Sequence, residues 1–103
     1  TDKRARKITD TLMDDPSDTR TLQDWAQELG ASERTLARLF SRETGMTFGQ
    51  WRQQVKLLAA LARLARGESV TAVAFDLGYA SQSAFIAMFR RALGRTPGRY
   101  FSE

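Results

Sequence analysis

Ser32–Thr44, SERTLARLFSRET, decides how this chain is read. At 3.6 residues per turn, Leu36, Leu39 and Phe40 fall on one apolar stripe, while Arg34, Arg38 and Arg42 recur every four residues on another face. One face suits a core and the other a partner. Just upstream, Thr21 is a good N-cap and Asp24 holds the capping-box position, with Leu22, Trp25, Ala26 and Leu29 on one side of a short helix. Gly30 supplies a turn with positive φ, and Ser32 caps the next helix. A short helix, a tight glycine turn and a second helix with arginines on its free side make the pattern of a helix-turn-helix, whose second helix enters the DNA major groove.

The pattern occurs twice. Thr21, Leu22, Ala26, Leu29 and Gly30 match Ser69, Val70, Ala74, Leu77 and Gly78 at an offset of 48. Beyond the turn, Ser32, Leu36, Phe40, Arg42 and Gly45 match Ser81, Phe85, Phe89, Arg91 and Gly94 at an offset of 49, so the second turn carries one extra residue. The second copy's presenting helix, SQSAFIAMFRRAL from Ser81 to Leu93, is more apolar, with Phe85, Met88 and Phe89 in the places of Leu36, Leu39 and Phe40.

Between the copies, Thr47 and Gln50 form a capping box, and Phe48, Trp51, Val55, Leu58, Leu61, Ala62 and Ala65 keep a helical stripe until Gly67. That rod is roughly 28 Å long at 1.5 Å per residue. Before the first copy, Ala5, Ile8, Leu12 and Met13 lie at helical spacing until Asp14, Asp15 and Pro16; after the second, Thr96 and Pro97 read as N-cap and N1 of a last short helix. No strand pattern is present. The expectation is an all-α fold of about seven helices: two helix-turn-helix subdomains joined by a long linker helix. The whole of 1–103 reads as one DNA-binding domain, with subdomain 1 at about 4–46 (helix-turn-helix 21–44), the linker helix at about 48–66 and subdomain 2 at about 69–103 (helix-turn-helix 69–93). Such a rod suits two recognition helices on successive major-groove faces, which lie ~34 Å apart.

A chain of 103 residues with 42% hydrophobic side chains is long enough to bury a core. It has no cysteine and no histidine, which removes disulfides, thiolate metal sites and the commonest metal ligand and general base. No cofactor and no catalysis are expected; Ser41 and Ser81 lack a base, and Asp14-Asp15 before Pro16 reads as helix termination. No apolar run nears the ~18 residues of a membrane span, and TDKRARKITD lacks a secretory hydrophobic region, so a soluble, cytoplasmic protein with no membrane partner is expected. The missing initiator Met points to a fragment of a longer protein.

Net charge is +4, but it is unevenly spread: −2 over residues 1–30, +5 over 31–66, −2 over 67–78 and +3 over 79–103. Positive charge gathers around the two presenting helices, as a polyanion-binding surface requires. The plainer alternative is a solvated arginine-rich face.

LQDWAQELGASERTLARLFSRETGMTFGQW, with VTAVAFDLGYASQSAFIAMFRRALGRTPGRY after it, resembles the DNA-binding region of AraC/XylS-type transcriptional regulators. The likeness runs from about Ile8 to Tyr100, and its specific part is A-x-x-L-G-Y-x-S-x-S-x-F-x-x-x-F-R-x-x-x-G-x-T-P-x-x-Y from Ala74 to Tyr100. It implies seven helices, sequence-specific binding to double-stranded DNA in a bacterial transcription regulator, activation as the commoner role, and location on the nucleoid when bound. RNA polymerase is a further candidate partner, and many members carry an upstream effector-binding or dimerising domain, while a smaller group consists of this region alone.

The resemblance places base-reading positions at Arg34, Ala37 and Arg38, where Ala37 offers only a methyl contact. Base-contact candidates are therefore Arg34, Thr35 and Arg38 in the first half, since arginine forks onto guanine O6 and N7. In the second half they are Gln82, Ser83 and Ile86, with Ala87 standing where other members often have Arg. This half is expected to position more than read. Arg42, Arg90, Arg91 and Arg95 are phosphate-contact candidates. Trp25, Trp51, Phe75, Phe85 and Phe89 read as core packing, and Tyr79 as packing in the second turn. The competing reading from another class is a basic all-α module that binds an acidic protein partner.

Overall fold

Residues 2–102 are described by the computed structural model, and among them there are seven helices and no strand. They are α1 (Lys3–Asp14), α2 (Leu22–Leu29), α3 (Glu33–Thr44), α4 (Phe48–Ala65), α5 (Val70–Asp76), α6 (Gln82–Leu93) and α7 (Pro97–Tyr100). Hydroxyl caps set most of the starts. The Asp24 N–H donates to Thr21 Oγ1 at 3.1 Å while the Thr21 N–H donates to the Asp24 carboxylate at 2.9 Å; Thr47 and Gln50 repeat the exchange at 3.1 and 3.0 Å. Ser32, Ser69 and Ser81 each accept from the N–H three residues on, at 3.1, 3.1 and 3.0 Å. Caps of this kind stabilise by about 1 kcal/mol each.

The two turns show the repeat in backbone terms. The Ala31 N–H donates to the Ala26 carbonyl, and the Tyr79 N–H to the Ala74 carbonyl, both at 3.0 Å and both from a residue five positions on. Gly30 (φ 67°) and Gly78 (φ 88°) take the left-handed conformation that these turns need.

The chain forms two compact units with the boundary between Val55 and Lys56. In the first, Ile8, Leu12, Trp25, Ala26, Leu36 and Phe40 make the core, flanked by Leu22, Leu29, Phe48 and Trp51. Phe40 meets the rings of Phe48 and Trp51 edge-on, each at 5.7 Å. In the second, Leu57, Ala60, Val73, Ala74, Leu77, Phe85, Met88 and Phe89 make the core, with Tyr79 edge-on to Phe85 at 5.4 Å. Burying one such large apolar side chain contributes about 1.5–3 kcal/mol.

Three packing expectations change. Phe75 is not core: it is 58% exposed, because Val73, Ala74 and Leu77 define the inward side of α5 and Phe75, two residues beyond Val73, points roughly opposite. Met13 is 61% exposed, since the inward row of α1 is Ala5, Ile8 and Leu12. Within α4 the expected stripe fails after Val55. Leu58 is 61% exposed and Ala62 and Ala65 are exposed, while Leu57 and Ala60 are the buried residues. A run as uniformly apolar as Leu57–Ala62 does not mark its own inward side.

Candidate nucleic-acid interface

With Leu36, Leu39 and Phe40 turned to the core, α3 leaves Arg34, Ala37, Arg38 and Arg42 exposed on its other side and Thr35 half-buried. The Ser32 hydroxyl, besides capping the helix, donates to Thr35 Oγ1 at 2.8 Å. On α6, Phe85, Met88 and Phe89 are buried, leaving Gln82, Ser83 and Ala87 exposed. Ile86 is half-buried against the second core and lines a shallow hollow with Ser83, Ala87, Arg90, Arg91 and Thr96. The Gln82 side-chain carbonyl accepts from the Thr71 hydroxyl at 2.7 Å.

The arginines divide sharply by what they touch. Arg4 pairs with Asp2 at 3.3 Å and Arg6 with Asp10 at 3.8 Å. Arg20 holds both Asp18 and Glu28 at 2.7 Å and lies 3.9 Å above the Trp25 ring. Arg52 donates to the Arg20 carbonyl and covers the Phe48 ring at 4.5 Å. Arg63 holds Glu68 at 2.6 Å and Asp76 at 2.7 Å, and Arg66 holds Glu68 at 3.1 Å.

These contacts fix protonation. The Arg20 guanidinium, by side-chain hydrogen bonding, keeps the Asp18 carboxyl below its ordinary range; Arg63 does the same to Glu68 and is itself raised. Burial pushes Arg52 down.

By contrast, the side chains of Arg34, Arg38, Arg42, Arg90, Arg91, Arg95 and Arg99 have no acid, hydrogen-bond or aromatic partner among the described residues. All seven are exposed. Their donor forks remain available to planar or tetrahedral anions. Arg42, Arg90 and Arg91 sit in the last turns of their helices, where a cation also complements the helix dipole.

The sequence does not mark out Arg99, which lies between Pro97 and Tyr100 in the short terminal helix α7. With Arg90, Gly94, Arg95, Thr96 and Ser102 it lines a solvent-open hollow of about 720 Å³. The signal for it was the +3 of residues 79–103, to which it contributes.

The family described as helix-turn-helix domain matches residues 25–103. The chain belongs to the AraC-type helix-turn-helix family. It is 46% identical over 100 residues to the HTH-type transcriptional regulator NimR of Escherichia coli K12, an alignment covering 97% of this chain and 37% of NimR. The chain thus spans little more than a third of that relative. It is 40% identical over 76 residues to the regulatory protein SoxS of Salmonella typhimurium, covering 73% of this chain and 71% of SoxS. Among solved structures, the DNA-binding domain of the global transcriptional factor AdpA, in complex with a target DNA, superposes with a TM-score of 0.85 at 27% identity, covering 96% of this chain and 90% of that one.

Within the AraC-type frame, the structure puts Arg34, Thr35 and Arg38 in the first two turns of α3, and Gln82, Ser83 and Ile86 in the first two turns of α6. Arg95 lies in the connection from α6 to α7. The basic residues of α1 separate: Arg4 and Arg6 are acid-paired, whereas Lys3 and Lys7 are exposed.

Proposed function

We propose that this chain binds double-stranded DNA sequence-specifically, as the DNA-binding part of a bacterial transcription regulator. The observation that carries the reading is the row Arg34, Arg38 and Arg42: three exposed guanidinium groups without partners among the described residues, on the free side of the second helix of a helix-turn-helix. Arg20 and Arg63, by contrast, are held by acids. In this reading Arg34, Thr35 and Arg38 contact base edges from α3, and Gln82, Ser83 and Ile86 do so from α6. Arg42, Arg90, Arg91 and Arg95 contact phosphates, and Arg99 joins them.

In this reading the subdomains that read DNA are about 4–46 and 69–103, joined by a helix at about 48–66, and each contributes one recognition helix. The relatives are named as regulators; a role without catalysis in the bacterial cytoplasm is our assignment. Activation through RNA polymerase is the role we assign. An effector-binding or dimerising domain elsewhere in the intact protein is part of this proposal; NimR extends well beyond the part that matches this chain.

Competition tests the reading against that of a basic module for an acidic protein. A duplex selected from random sequence should displace labelled DNA far better than a scrambled duplex at equal salt. Equal displacement by any duplex would overturn it.

A further inference from the structure

Gln82 opens α6, and its side-chain carbonyl is held by the hydroxyl of Thr71, on α5, at 2.7 Å. Building on the DNA-binding reading above, we infer that Thr71 is a positioning residue: it turns the Gln82 amide so that the NH2 end faces the base edge. Gln82 then reads a base acceptor: guanine O6 or N7, adenine N7 or thymine O4.

The chemistry follows from what each base offers in the major groove. Glutamine pairs with adenine through both ends of the amide, donating to N7 and accepting from N6. The bond from Thr71 takes one of the oxygen's two lone pairs, so Oε1 can still accept from adenine N6. Cytosine presents only the N4 donor, which an NH2 group cannot satisfy. The preference at this base pair is therefore guanine, thymine or adenine over cytosine.

The Thr71–Gln82 bond joins α5 to α6, while the Ser81 hydroxyl beside it accepts from the Ala84 N–H. Both residues are exposed, so the bond ties no core together. What it does is restrict a side chain with three rotatable bonds. The first turn of α3 has the same polarity: Ser32 donates to Thr35 Oγ1 at 2.8 Å, leaving the Thr35 proton free to donate outward.

The test uses the chain with Thr71→Val, Thr71→Ser, Gln82→Ala and the double variant Thr71→Val/Gln82→Ala. Sites are selected from random duplex DNA, and each variant is then measured on duplexes permuted at the selected positions. Thr71→Val should reduce the discrimination against cytosine about fivefold at one base pair only, the worth of one net hydrogen bond, and Thr71→Ser should retain it. Gln82→Ala should flatten the same base pair, and adding Thr71→Val to it should change nothing further. An intact profile in Thr71→Val overturns the inference, as does equal flattening by Thr71→Ser or an additive double variant. A chain that selects no sequence at all overturns the DNA-binding reading itself, a result distinct from selection that ignores Thr71.

Discussion

Arg38→Ala removes a guanidinium that no described residue engages, so it separates DNA affinity from folding stability. On the folding side nothing is broken: Arg38 is exposed, and alanine is a slightly better helix former than arginine, so the urea midpoint should hold or rise marginally. On the binding side a bidentate contact to guanine contributes about 1–3 kcal/mol of discrimination. At about 1.4 kcal/mol per tenfold, the preferred duplex should bind roughly 5- to 150-fold more weakly. A duplex already carrying the wrong base at that position should lose much less. Fluorescence anisotropy at one fixed salt concentration, on the selected duplex and on permutations of it, reads both numbers. Were Arg38 a phosphate contact, both duplexes would weaken alike and the salt slope would fall by about 0.9; that result, or an unchanged sequence profile, refutes base reading. Arg63→Ala is the converse control. Arg63 holds Glu68 and Asp76, so its loss should lower the urea midpoint and leave the sequence profile alone.

Arg99→Ala should weaken all duplexes equally and shallow the salt dependence by about one unit; a site-selective loss in the same titration would contradict a phosphate role. Phe85→Ala should cost about 3–5 kcal/mol in urea unfolding, whereas Phe75→Ala should stay within about 0.5 kcal/mol, because Phe85 is fully buried and Phe75 is 58% exposed. Asp18 has its folded pKa depressed by Arg20, so the folded state binds fewer protons than the unfolded one and the pair's contribution is present at neutral pH. It is lost as pH falls from about 4 through the lower folded value. The urea midpoint of Asp18→Asn should thus lie below wild type at neutral pH and converge on it in acid, and a gap that persists at strongly acidic pH would count against the linkage.

The fold was legible wherever structure is decided locally. Thr21 with Asp24, Thr47 with Gln50, and the capping serines at 32, 69 and 81 act through bonds spanning three residues, so their sequence spacing is their geometry. The repeat was legible for the same reason, down to the matching carbonyls of Ala26 and Ala74. What failed was the choice of inward side where composition did not contrast. In α4, Leu57 and Leu58 are chemically identical neighbours, yet one is 6% and the other 61% exposed. Tertiary packing alone distinguishes them. Phe75 failed differently: large aromatic side chains are usually buried, and that prior outweighed a helical spacing already complete with Val73, Ala74 and Leu77.

For the interface, the presenting helices and their outward positions could be read, but not which cations are free. Arg20 and Arg63 look no different from Arg34 in the sequence; Asp18 and Glu68 lie 2 and 5 residues from them and Glu28 and Asp76 8 and 13, none at the three- or four-residue spacing of helical pairing. Once the pairs are placed, the two units differ more than their net charges suggest. Of the seven basic residues in 31–66, Arg52, Lys56, Arg63 and Arg66 are engaged with an acid, a carbonyl or a ring, which leaves the α3 row alone. All four arginines of 79–103 lack partners among the described residues, but they lie in the last turn of α6 and beyond it, while the first turn of α6 offers Gln82 and Ser83. Free charge thus coincides with the presenting turns in the first unit and is displaced from them in the second. In the proposed roles, specificity comes from arginine forks in one half and, in the other, from a single oriented amide backed by a phosphate clamp, so substitutions in the two halves should differ in kind: loss of sequence preference from α3, and loss of salt-sensitive affinity from the end of α6.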